Sequence, residues 1–377
     1  MSEPTLTPAM AAYTRNARPH LHGDELAAVE EALASGQFGH GPITEQFERD
    51  LADFLHVPET VAVASGTAAL HITLLACGIG PGDDVVVPSF TFCATVRAIE
   101  ACGANIRFAD IDPTTLCTGS AQIREALTDK TRAVLPVLYG GRPVPLGDLE
   151  DELAERNITI VEDAAHAFGS YQGPARVGAT GRATCFSFGP IKNLTCGQGG
   201  ALVPRTHEEA DQARRIRLLG IAESAARRQN TTTYRVTGPG LRAHLSQINA
   251  AIGRAQLPHF PTVQTQRRAL WHTYARHLNE LPEAIRLVDV DIDHAVPSLC
   301  AILVDNRDRI FKTLREQGIG AGVHYPPNHL QEAFAAWHRP LPATEHAAAR
   351  VITLPFHHAM TERDVHVVTT VLKEALR

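Results

Sequence analysis

"TVAVASGTAALHITLLACGIGPGDDVVVPSF", residues 60–90, decides the fold class. It opens with a short β-branched run. "SGT" then makes a tight turn and starts an apolar helix. Gly80-Pro81-Gly82 breaks that helix, and Val85–Val87 reads as a second strand. Strand, helix and strand in so short a span form a βα unit. The pattern continues outward. "NIRFADID" (105–112), "RAVLPV" (132–137) and "ITIVEDAAH" (158–166) are further short apolar runs separated by helical stretches. Two more strands are expected at Thr184–Phe188 and Gly200–Val203. Such alternation predicts an α/β domain with a mostly parallel central sheet flanked by helices.

On the N-terminal side, "GDELAAVEEALASG" (23–36) and "PITEQFERDLADFLH" (42–56) have helical period. Beyond about Leu241 the character changes. "HLSQINAAIGRAQLPHF" (244–260) and "VQTQRRALWHTYARHLNEL" (263–281) read as long helices. They lead to a smaller α+β tail, with a strand near Leu299–Val304 and helices near Arg307–Gln317 and Thr361–Leu376. The expected division is a large domain over 1–255, carrying an N-terminal arm over 1–22, and a small C-terminal domain over 256–377.

The chain has 377 residues and a net charge of −6, which indicates no general attraction to nucleic acid or membrane. Its seven cysteines are odd in number, scattered, and lack a C-x-x-C, against a disulfide framework or zinc site. The N-terminus is polar and no 18-residue apolar run occurs, so the expectation is a cytoplasmic protein.

Four short motifs carry the chemistry, and each has an ordinary structural reading. In "VASGTAAL" (63–70), Ser65, Gly66, Thr67 and Ala68 open a helix. Free backbone N–H groups and the helix dipole there favour a phosphate, although a plain N-cap looks the same. "PSFTFCAT" (88–95) places Phe90 and Phe92 at a strand end, as core residues or as a surface for a flat ring. "IVEDAAHAFG" (160–169) ends a strand in Glu162 and Asp163, one of which should face the crevice. In "FSFGPIKNLTCGQGGA" (186–201), Ser187 lies on the face opposite Phe186 and Phe188. Lys192, one of only four lysines, has no charged neighbour within five residues. A desolvated lysine has a lowered pKa and can attack a carbonyl. Phosphate seat, ring platform, carboxylate and lone lysine together match the needs of pyridoxal 5'-phosphate (PLP).

The chain closely resembles the DegT/DnrJ/EryC1/StrS aminotransferases from about residue 19 to its C-terminus. The resemblance is carried by "GPITEQFE", "SGTAALH", "GIGPGDDVVVPSFTF", "ADIDP", "VEDAAHAFG", "FSFGPIKN", "AAIGRAQL", "GVHYPPNHLQ" and "LPFHHAMTERDV". It implies the fold-type I PLP architecture, a homodimer with shared active sites, and amination of a keto-sugar by glutamate or glutamine as the cofactor cycles between PLP and PMP. "FSF…IKNLTC" is similar to the branch that aminates a UDP-4-keto-pentose. By the same resemblance Lys192 matches the Schiff-base lysine, Asp163 the carboxylate at the pyridine nitrogen, and His166 the side chain beside the ring oxygen. Phe92 matches the stacking ring. Thr67, the Ala68 amide and Ser187 match the phosphate contacts. His324, Tyr325 and His329 fall near the sugar site, and no metal is implied.

Three departures stand out. "GLRAHL" (240–245) places Arg242 where an asparagine usually reaches the phosphate of the neighbouring subunit's cofactor. Gln198 in "GQGG" replaces a glutamate. "RIRLLG" near Arg217 replaces a polar segment and is expected to reshape the substrate mouth. The rival readings are amination of a keto-cyclitol, a PLP-dependent sugar dehydratase, and a PLP-binding regulator. Lys192 speaks against the dehydratase, because that branch carries histidine there.

Overall fold

The computed structural model describes residues 11–223, 232–281 and 285–377. Its centre is a seven-stranded sheet built from β1 (Val61–Val63), β2 (Asp84–Pro88), β3 (Asn105–Ala109), β4 (Thr131–Val134), β5 (Thr159–Asp163), β8 (Ala183–Ser187) and β9 (Gly200–Val203). The short hairpin β6 (Tyr171–Gln172) and β7 (Ala175–Arg176) lies outside it. The spatial order is β1-β9-β8-β5-β4-β2-β3. β3, β2, β4, β5 and β8 pair in parallel, and β9 alone runs against its two neighbours.

The strands are short and apolar because both sheet faces are covered. Alternate residues enter two cores: Val85 and Val87 point into one, Val86 into the other. Cys185 and Phe186 part in the same way. The helix Gly66–Ala76 is apolar nearly all round because it packs against β8 and β9 as well as its neighbouring helices. Ser65 caps it, its hydroxyl accepting the Ala68 N–H at 3.1 Å.

A second sheet is antiparallel: β10 (Ile285–Leu287), β11 (Cys300–Val304) and β12 (Val351–Leu354), in the order β10-β11-β12. Helices Arg307–Glu316 and Glu362–Ala375 pack on it. The helix Phe260–Asn279 joins the two bodies. Phe260 and Val263 sit in the core shared with the large sheet, whereas Tyr274 and Leu278 sit in the core of the small one. The N-terminal segment also belongs to this end: Asn16 Nδ2 donates to the Thr353 carbonyl at 2.9 Å, and Gly320 N–H donates to the Tyr13 carbonyl at 2.8 Å.

A buried ion pair braces the middle of the large sheet. Glu162 of β5 is fully buried and accepts from Arg182 at 2.7 Å and from the Thr184 hydroxyl at 2.9 Å. Burial alone would push the Glu162 carboxyl up toward its neutral form, and Arg182 opposes that. Arg182→Met should therefore strand a buried carboxylate and cost about 3–5 kcal/mol in denaturant unfolding. Glu162→Gln/Arg182→Met together should cost less than Arg182→Met alone.

Candidate active site

The carboxyl ends of the parallel strands converge on one cavity of about 190 Å³. β1 leads into Ser65, Gly66 and Thr67, and β2 into Thr91, Phe92 and Thr95. β5 delivers Asp163 and, one turn later, His166. β8 delivers Ser187, and the glycine-rich turn behind it delivers Lys192 and Gln198. Tyr325 closes the cavity from the segment ahead of β12.

The turn at Gly66 requires glycine for close approach. A Cβ there would lie 2.7 Å from the Ser187 Cβ. The missing side chain lets the helix N-terminus and the Ser187 hydroxyl share one wall, with Thr67 exposed beside them. The Ala68 amide, by contrast, is already used by the Ser65 cap.

Of the acidic pair at the end of β5, Asp163 faces the cavity and Glu162 the opposite side. Asp163 Oδ2 accepts the Thr95 hydroxyl at 2.7 Å and Oδ1 accepts the Ala165 N–H at 3.1 Å. Burial raises its pKa; the Thr95 and Ala165 bonds and the nearby Lys192 charge pull it back. Asp163 makes no ion pair among the described residues. A buried carboxylate held by donors, without a bonded cation, is a receptor for one.

Lys192 is half-buried at the cavity, and desolvation lowers its pKa to about 8 with Asp163 opposing. About one molecule in ten then carries a free amine there at pH 7. His166 is held neutral, its pKa pushed well down by burial and then by Lys192. The Gly140 N–H donates to His166 Nδ1 at 3.4 Å, so the ring proton sits on Nε2 and is donated to the Tyr325 oxygen at 3.1 Å. That leaves the Tyr325 O–H to be donated toward the cavity. Phe92 is 57% exposed at the mouth, its ring 5.8 Å from Tyr325. Phe90 is buried against Tyr139 in the core.

Ser65, Gly66, Thr67, Phe92, Asp163, His166, Ser187, Lys192 and Tyr325 thus line a single cavity. Others do not. His324 stands behind Tyr325 with Nδ1 2.7 Å from the Thr353 hydroxyl. His329 is buried, bonded to Ser89 and Glu345. Arg242 is exposed and off the cavity wall of its own chain. Within "RIRLLG", the segment expected to reshape the substrate mouth, Arg217 is buried in an ion pair with Glu48 and donates to the Ala62 carbonyl at 2.7 Å. Thr95 went unrecognised in the sequence; its signal was a hydroxyl one turn beyond the Phe92 strand end. Among the described residues no cluster could hold a metal ion.

The family model for DegT/DnrJ/EryC1/StrS aminotransferases matches residues 19–373. The chain belongs to that family. Solved structures agree with it over nearly the whole length. The aminotransferase TlmJ from Streptoalloteichus hindustanus is 33% identical, with a TM-score of 0.88 over 96% of this chain and 98% of its own. The sugar aminotransferase CalS13 from Micromonospora echinospora is 28% identical, with a TM-score of 0.89 over 96% and 99%. The PLP form of Spr1654 from Streptococcus pneumoniae, described as a sugar aminotransferase, is 25% identical, with a TM-score of 0.86 over 95% and 97%. The protein is a PLP-dependent aminotransferase, and the cavity fits that cofactor. Asp163 lacks a cation that a pyridinium nitrogen would supply, Lys192 offers an amine of lowered pKa, and the glycine-lined helix end offers free N–H groups.

Because Thr95 donates to ionised Asp163, Thr95→Val should raise the Asp163 pKa. A hydrogen bond to a charged group contributes about 1.5–3 kcal/mol, or about one to two pH units. The acid limb of PLP binding to the apoprotein should move to higher pH by that amount. An unchanged limb would show that Thr95 does not govern this carboxylate.

Proposed function

We propose that this aminotransferase moves an amino group from glutamate or glutamine to a keto-sugar, preferentially one linked to a nucleotide. The observation that supports it most is the convergence of Lys192, Asp163 and His166 on one cavity in a chain of the sugar-aminotransferase family. When bound, PLP supplies an electron sink for the pair of electrons released at the donor's α-carbon.

The chain's own residues do the rest. Lys192 would hold the cofactor through its Nζ, and the same amine would serve as the proton carrier at the donor's α-carbon. Desolvation lowers the Lys192 pKa in the cofactor-free cavity, which favours the free amine that such a role needs. Asp163, its ionised form favoured by Thr95 and Ala165, would receive the ring nitrogen. Neutral His166, through Nε2, holds the Tyr325 hydroxyl at the cavity. Thr67, Ser187 and the N-terminus of the helix Gly66–Ala76 receive the phosphate. Tyr325 and Gln198 are the polar groups left to meet the sugar.

The working unit is a homodimer. Phe92 and Ile191 are 57% and 49% exposed at and beside the cavity mouth, a large apolar surface to leave in water. A second copy covers them and brings its own Arg242 to the phosphate. Arg242→Ala should weaken PLP retention about tenfold or more, since a charge-assisted contact contributes about 1.5–3 kcal/mol. A monomer with full activity, or normal retention in the variant, would remove this arrangement.

The substrate reading is tested by incubating the PLP form with L-glutamate and a panel of nucleotide-linked keto-sugars and keto-cyclitols. The expected result is a mass shift from ketone to amine in a nucleotide-linked sugar. Turnover confined to cyclitols would favour the alternative substrate class.

A further inference from the structure

Tyr325 reaches the cavity on a segment held on both sides. Ahead of it, Gly322 and Thr353 of β12 exchange backbone hydrogen bonds at 2.9 Å, and the Tyr139 hydroxyl donates to the His324 carbonyl at 2.7 Å. A second set of holding groups lies just beyond it. Asn328 is buried and donates its Nδ2 to the Thr91 carbonyl at 2.7 Å and to the Ser89 carbonyl at 3.0 Å. Its backbone N–H adds a bond to the Ser89 carbonyl at 3.1 Å. The His329 N–H donates to the Ser89 hydroxyl oxygen at 2.9 Å, and the same oxygen lies 2.7 Å from His329 Nδ1.

The Glu345 carboxylate can only accept, so the His329 ring proton sits on Nε2, 3.3 Å from it; the same carboxylate accepts the Leu341 N–H at 3.1 Å. Burial favours the neutral ring, so Nδ1 is an acceptor and takes the Ser89 hydroxyl proton. The partners thus run from the end of β2 through Asn328 and His329 to Glu345 of the helix Pro342–Ala348.

The end of β2 is also where the cavity's other wall begins. The Thr95 hydroxyl donates to Asp163, so the Thr91 hydroxyl, 3.0 Å away, donates to Thr95. Asn328 grips the carbonyl of that same Thr91, one residue before Phe92. One anchor thus joins the strap carrying Tyr325 to the segment carrying Phe92 and the Thr91–Thr95–Asp163 relay.

We propose that Asn328 and His329 are positioning residues, which act through Ser89 and Thr91 to set Tyr325 and the Asp163 relay at a fixed separation across the cavity. Neither touches the cavity itself. The anchor explains why a histidine in a site motif is buried away from the site: it specifies where Tyr325 stands. Only the kinetic part of its test rests on the aminotransferase donor reading.

The test uses the full chain, with Asn328→Ala and Ser89→Ala as the disrupting variants and His329→Asn as a conservative one. An asparagine oxygen can still accept the Ser89 proton. In the apoprotein, backbone amides of 322–331 should exchange at least about tenfold faster in Asn328→Ala and in Ser89→Ala, with 183–203 unchanged; His329→Asn should stay within about threefold of the parent. In the PLP form, the half-reaction with L-glutamate should show a raised half-saturating concentration, about tenfold, with a smaller change in limiting rate. Combined with Tyr325→Phe, Ser89→Ala should add little, because both changes remove the same placement. Unchanged exchange in 322–331 would overturn the proposal. So would Ser89→Ala and Tyr325→Phe effects that simply multiply, which marks a general loss of structure. If the parent enzyme ignores glutamate, the donor reading fails, while the exchange result still decides the anchor.

Discussion

A carboxylate buried without a bonded cation is the constraint around which the molecule is arranged. Asp163 sits at the carboxyl end of β5, in the middle of the large sheet, where water cannot solvate it. Left alone it would take up a proton. Thr95, Ala165 and Lys192 all push the other way. Each requires a different piece of chain to arrive at one point: the helix after β2, the turn after β5, and the glycine-rich turn after β8. A parallel sheet does this naturally, since its strand ends share one rim. The neighbour Glu162 shows the contrast. It is equally buried, but with Arg182 and Thr184 bonded to it, and so it is an internal brace instead of a receptor.

The same arrangement sets the electrostatics of Lys192. Desolvation pulls its pKa down and Asp163 pulls it up, and the outcome of about 8 suits a group that must both accept and release a proton near neutrality. The sign for the apoprotein follows. The folded lysine binds its proton less tightly than the unfolded one, so this residue opposes folding below pH 8. The opposition is relieved as the pH rises toward the ordinary lysine value. Catalytic fitness and apoprotein stability thus pull against each other at one side chain.

Much of this was legible in the sequence because it is local. The β-branched runs between helical stretches gave the sheet, and the isolation of Lys192 among uncharged residues marked its burial. Alternation along "FSF" separated Ser187 from two core rings. What was hidden depends on partners far along the chain. The residues alone left Glu162 and Asp163 open and the family resemblance pointed to Asp163; the physical reason lies in Arg182 and Thr95. The burial of Arg217 depends on Glu48, far earlier in the chain, which pairs with it. β12 was not assigned from the sequence; its strand character comes from pairing with β11. His329 sits in a site motif, yet Ser89 and Glu345 claim both ring nitrogens.

The central claim is that Lys192 is the amine that the cavity presents to PLP. The direct measurement is borohydride reduction of the PLP-loaded protein, followed by proteolysis and mass mapping of the pyridoxyl label. The account predicts one label per chain, on the peptide containing Lys192, and none in Lys192→Ala. A label on Lys130, Lys312 or Lys373, or a reducible adduct that persists in Lys192→Ala, would contradict it.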